Sequence, residues 1–159
     1  MMKIKPSKYS SISWCLFSSS MIVFCLTLPL SVNAESFFSA RLSPLPVTLR
    51  TVDKITGSGN VEAILKGSQL TIRGDFKGLS GLASEAHIHM GELAIPGPAI
   101  IKLDISAASF GEIKAQVNLN AEQITRLHEH GLYIQIHSDV APEGNLRGWL
   151  LKTEGDNNE

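Results

Sequence analysis

The stretch Ala86-His87-Ile88-His89-Met90-Gly91 puts two imidazoles two residues apart. On an extended strand alternate side chains leave the same face, so His87 and His89 stand side by side, about 6–7 Å apart along the chain. Two neutral imidazoles so placed can clamp a metal ion. A third nitrogen from a neighbouring strand would complete a site suited to copper or zinc, with water or a further side chain in the fourth position. His137 is the third candidate. It lies in Leu132-Tyr133-Ile134-Gln135-Ile136-His137-Ser138, where period two turns Leu132, Ile134 and Ile136 inward and sends Tyr133, Gln135 and His137 outward. His87, His89 and His137 are therefore the candidate metal ligands. The same three residues also permit a reading without an ion, in which their rings hydrogen-bond to loops 91–98 and 139–145 and fix them in place.

Other polar residues offer less. Strict alternation turns the soft sulfur of Met90 into the core and away from the histidines. Glu92 follows Gly91 in a loop and is read as solvated. His128 and His130 fall at the end of a helical segment, where exposure and the helix C-terminus account for them. Arg147 could steer an anion toward a metal, but its place in a strand-turn motif favours a structural pairing with Glu143 or with loop carbonyls. Trp149 shares its face and is expected to pack under a loop. No serine sits in a glycine elbow and no carboxylates pair in an apolar pocket, so an enzyme on this chain would need the metal for its chemistry.

The elements that must position these residues follow a leader. Lys3, Lys5 and Lys8, a largely apolar run from Trp14 to Leu30, and Val32-Asn33-Ala34 read as an export signal over 1–34, cleaved after Ala34. Cleavage directs the chain to the periplasm or the exterior. The mature 125 residues suffice for one domain and contain no cysteine, since Cys15 and Cys25 both fall in the signal. Residues 35–46, closed by two prolines, read as a lead-in segment. The domain is expected over 47–152, with strands at 47–52, 59–66, 69–78, 84–90, 98–105, 111–119, 132–138 and 145–152. Asn120 followed by Gln123 forms a capping pattern for a helix over 121–130, ended by Gly131. Residues 153–159 read as a polar, disordered tail. Short strands at this spacing predict an all-β fold, an antiparallel sandwich or barrel with one short helix.

Removing the three signal lysines leaves 11 basic residues against 15 acidic ones, a net charge of about −4. That balance, with no basic run and no phosphate loop, excludes nucleic acid and anionic membrane as expected partners of the mature chain. A metal ion or a protein partner is left, with the oligomeric state open.

Leu79-Ser80-Gly81, Ala86 to Gly91, Gly97-Pro98 before an aliphatic strand, Tyr133 to His137, and Pro142-Glu143-Gly144-Asn145-Leu146-Arg147-Gly148 together resemble the chordin-type (CHRD) domain, from about Asn60 to Leu151. The resemblance implies a Greek-key β-sandwich, immunoglobulin-like or superoxide-dismutase-like, with limited likeness to copper,zinc superoxide dismutases, whose copper is held in part by a similar His-x-His strand. It implies no defined activity. Ala94 stands where the family spacing would favour glycine, Gln135 where asparagine is usual, and Asn145 where glutamate is common. A dismutase proper would also need more histidines, an aspartate-containing zinc set and a disulfide.

Overall fold

The computed structural model describes residues 34–154. The expected export signal, apart from Ala34, and the tail beyond Glu154 lie outside the described residues. Nine strands and a helix follow in order: β1 (Glu35–Pro44), β2 (Ser58–Lys66), β3 (Gln69–Lys77), β4 (Ala83–Met90), β5 (Ala99–Leu103), β6 (Gly111–Asn118), α1 (Ala121–His128), β7 (Leu132–Ser138), β8 (Ala141–Trp149) and β9 (Leu151–Thr153).

Period-two patterning makes the core. Along β2, Val61, Ala63 and Leu65 are buried while Asn60, Glu62 and Lys66 face out, and β3 contributes Leu70, Ile72 and Phe76 from its inner face. From the other half, Ala86, Ile88, Ile134, Ile136 and Leu146 meet them in one cluster. Each large apolar side chain so buried contributes roughly 1.5–3 kcal/mol.

The strands are antiparallel in the order β5-β4-β7-β8-β1-β2-β3-β6, with β9 also on β1. Non-sequential neighbours, β4 beside β7 and β3 beside β6, reflect Greek-key connections between the halves. β1 joins the halves. It pairs with β9 at Phe37–Thr153 and with β8 at Pro44–Leu146 in one register, so β8 and β9 act as one strand interrupted at Leu150. At the far edges an isolated bridge between Ile105 and Ile113 brings β5 toward β6 and nearly closes a barrel.

Five expectations are corrected. Residues 35–46 are not a lead-in: Phe38, Ala40 and Leu42 alternate inward on β1, and only residues 45 and 46 of that span lie outside the strand. Residues 47–52 are not a strand. The Thr51 hydroxyl accepts from the Thr48 amide at 2.9 Å and Val52 N bonds Thr48 O at 3.0 Å, which draws the segment into tight turns and leaves Leu49 99% exposed. Of the expected loop 139–145, only Asp139 and Val140 remain between β7 and β8, and Thr153 of the expected tail is the last residue of β9. The helix has the expected Asn120–Gln123 capping box, but it ends at His128, and His130, at φ 60°, takes the left-handed position rather than Gly131. Gly131 N then bonds Arg126 O at 2.7 Å, closing the helix end.

Candidate metal centre

Register fixes which side chains can meet. Across β4 and β7, Glu85 lies opposite His137, His87 opposite Gln135, and His89 opposite Tyr133. β8 extends two of these rows, with Arg147 opposite Gln135 and Trp149 opposite Tyr133, and β5 places Lys102 opposite His87. Alternation puts all of these on the face away from the core cluster. Two of the three histidines sit at slips in the ladder: β4 and β5 shift register between Ile88 and His89, and β7 and β8 shift between Ile136 and Ser138. Bulges re-aim side chains, and here they turn rings from different rows toward one point.

One ligand nitrogen from each of His87, His89 and His137 lies within 4.8 Å of the others. The His87 ring stands edge-on to both partners, at centroid distances of 5.9 Å to His89 and 5.4 Å to His137. A tetrahedral ion about 2 Å from each nitrogen requires separations near 3.3 Å, so the widest pair must close by about 1.5 Å through side-chain rotation.

Hydrogen bonding sets the tautomers. His89 Nδ1 lies 2.9 Å from Gly97 O and His137 Nδ1 lies 2.8 Å from Pro142 O. A carbonyl can only accept, so in the neutral rings both Nδ1 atoms carry the proton and both Nε2 atoms present a lone pair. Among the described residues, the buried side-chain nitrogens without a protein partner are His87 Nδ1, His89 Nε2 and His130 Nδ1. Two of the three belong to this cluster. Burial holds His87 below the ordinary histidine range, and the neighbouring His137 adds to the effect. Burial likewise lowers His89 against the opposing bond to Gly97. Rings kept neutral are competent ligands, and the orphaned nitrogens of His87 and His89 leave room for a cation.

A second layer holds the rings. Tyr133, 1% exposed, stacks on His89 at 4.8 Å and donates its hydroxyl to Gly97 O at 2.9 Å while accepting from Gly97 N. Gly97 is pressed so closely against Met90 O that a Cβ could not be added, which pins flap 91–98 over the cluster. Gln135 accepts from Arg147 Nε at 2.8 Å, donates to Glu143 O at 3.1 Å, and places its amide nitrogen 3.4 Å from His137 Nε2. Gly144, at φ 135°, lets the β8 turn close on it: a Cβ there would lie 2.7 Å from Gln135 Nε2.

The faces predicted from alternation hold, but not the exposure. Tyr133 and Gln135 are buried under the flap and the start of β8 rather than outward in solvent. Arg147 bonds Gln135 in place of Glu143 and lies over the Tyr133 ring, 5.1 Å from its centroid, and Trp149 packs on the same tyrosine at 4.4 Å. His128 is exposed, whereas His130 is half-buried, and neither joins the cluster. The contacts expected of the ion-free reading are present, His89 to the Gly97 carbonyl in loop 91–98 and His137 to the Pro142 carbonyl in the span 139–145. Sequence reasoning missed Glu85, which the same period-two count places with His87 and His89.

A family model of the CHRD domain matches residues 38–150. The chain belongs to the CHRD domain family. The match begins within β1 and ends at Leu150, so the family's unit includes most of β1 and starts before residue 47. No curated protein and no solved structure matches the chain. In this CHRD domain the three histidines form a cluster that could hold a metal ion.

Proposed function

We propose that this CHRD domain is an exported binding module that holds one copper or zinc ion on His87, His89 and His137. The observation that carries the reading is the pair of carbonyl-fixed tautomers: Gly97 O and Pro142 O commit the Nδ1 protons of His89 and His137 and leave their Nε2 atoms as donors, within a cluster in which one nitrogen of each of the three rings lies within 4.8 Å of the others. An imidazole whose second nitrogen donates to a carbonyl is the usual arrangement of a metal-bound histidine. Three neutral donors leave the ion its full charge and an open position, suited to Lewis-acid or ligand-exchange roles. Calorimetry of the mature chain with Cu²⁺ or Zn²⁺ should give one equivalent, lost in His89→Ala. No heat of binding from the unaltered chain would refute the reading.

A second reading makes the domain a protein-interaction module without an ion. The same two carbonyl bonds favour it, since they fix flap 91–98 and the start of β8 unaided. Under it, His89→Ala lowers the melting temperature and added metal changes nothing.

Export is part of the proposal and rests on the lysine-led apolar leader and the Val32-Asn33-Ala34 cleavage pattern. The intact mass of the chain recovered from its producing cells should correspond to a start at Glu35. A mass that retains residues 1–34 would refute it.

A further inference from the structure

Three neutral imidazoles around a divalent ion leave a double positive charge in a partly buried patch. The register adds two cations to that patch, since Lys102 and Arg147 lie at the two ends of the row that holds His87 and Gln135. Such a concentration of positive charge demands an anion. One carboxylate is placed to supply it. Glu85 lies two residues before His87 on the same face of β4 and directly opposite His137 on β7, between two of the three ligands. Its carboxylate now engages Lys102 Nζ at 3.0 Å, outside the group of convergent nitrogens. Both ends of that ion pair are at least half exposed, at 64% and 50% of their side-chain surface, so little free energy holds it.

We infer that Glu85 is the anionic fourth ligand of the centre, held on Lys102 until an ion arrives. The inference rests on the three-histidine reading above. A directly opposed antiparallel pair has its Cβ atoms about 4.5–5.5 Å apart, and a glutamate side chain spans that gap with a change of rotamer. Binding then exchanges one carboxylate contact for another: the Glu85 oxygen leaves the ammonium of Lys102 and takes the open position, and Lys102 returns to solvent. The centre becomes a three-nitrogen, one-oxygen site with a single net positive charge, a donor set that suits zinc.

The consequence separates the two members of the pair. Glu85 strengthens metal binding and Lys102 competes with it. The test is titration of the mature chain with Co²⁺, read by its visible ligand-field bands, and with Zn²⁺ against a chromophoric chelator. Glu85→Gln, Lys102→Met and the double variant are compared with the parent. Glu85→Gln should keep one site, bind Zn²⁺ about tenfold or more weakly and shift the cobalt bands. Lys102→Met should bind more tightly than the parent, and that gain should shrink when Glu85→Gln is also present, to what the loss of the Lys102 charge alone gives. Because the pair is exposed, all variants should fold, which melting curves check. A parent that takes up cobalt while Glu85→Gln binds zinc equally well with an unchanged spectrum overturns the ligand role of Glu85 and leaves the histidine centre standing. Weaker zinc binding with an unchanged cobalt spectrum also overturns it, because the charge then acts without a bond. A parent that takes up no cobalt and no zinc overturns both.

Discussion

His89 and Tyr133 face each other across β4 and β7, stack with their rings 17° from parallel, and both hydrogen-bond the same carbonyl, that of Gly97. One backbone oxygen thus fixes the tautomer of a candidate ligand, and one phenol fixes that oxygen. Tyr133→Phe keeps the stack but removes the hydroxyl that Gly97 uses as both donor and acceptor. The loss of these bonds should lower stability by about 1–2 kcal/mol. It should also weaken metal uptake by up to about tenfold, because His89 keeps its donor nitrogen and loses part of its support. Equilibrium unfolding and a chelator competition measure the two effects separately.

The flap carries a strain that its sequence does not relieve. Ala94 lies at φ 67°, in the left-handed region where a Cβ is disfavoured. Ala94→Gly should therefore stabilise the domain, by about 1 kcal/mol. Its side chain is exposed and makes no part of the cluster, so metal stoichiometry should stay at one. A lower midpoint of unfolding in this variant would contradict the account of the flap.

The histidine face was legible because period two is enforced by burial: Ala86, Ile88, Ile134 and Ile136 must enter the core, and their neighbours then have no other face to take. Strand existence was equally clear in β2, β3 and β6. β1 was not, because Phe37 beside Phe38 blurs the alternation and two prolines close the run; yet Pro44 is the last residue of the strand, where a missing amide is tolerated. At 47–52 the alternation was real and misleading. Local hydroxyl bonds at Thr48 and Thr51 override it, and such bonds leave no mark on hydropathy. The burial of Tyr133 and Gln135 was hidden for another reason: flap 91–98, distant in sequence, covers the one, and the start of β8 folds back over the other.

Gln135 is where that cover meets the site. Its amide joins Arg147, the Glu143 carbonyl and His137, all from a buried position. Gln135→Leu would keep the volume and leave Arg147 Nε and Glu143 O without their partner. Stranding these groups should cost about 1–3 kcal/mol of stability, read by denaturant unfolding. Gln135→Asn is shorter by one methylene, keeps an amide at this point and should lose less than the leucine variant.

Protonation sets the conditions under which the centre can work. Burial depresses His87 and His89 below their unfolded value of about 6.5. The unfolded chain therefore binds protons that the folded chain refuses. Stability tied to these rings is complete above about pH 6.5 and is lost as pH falls through their lowered native values. Metal binding follows the same sign, since an ion competes for the lone pairs that protons take. Near pH 7 both rings are already neutral, so uptake should release little proton from them. Below pH 6.5 uptake should persist further than free imidazoles allow, then fail together with stability. Melting curves of the metal-free domain across this range should show the midpoint rising with pH and levelling above 6.5, with a flatter rise in the His87→Ala, His89→Ala double variant. A midpoint that rises toward acid pH would mean these rings gain protons on folding, and a neutral, ion-ready cluster could not then be maintained.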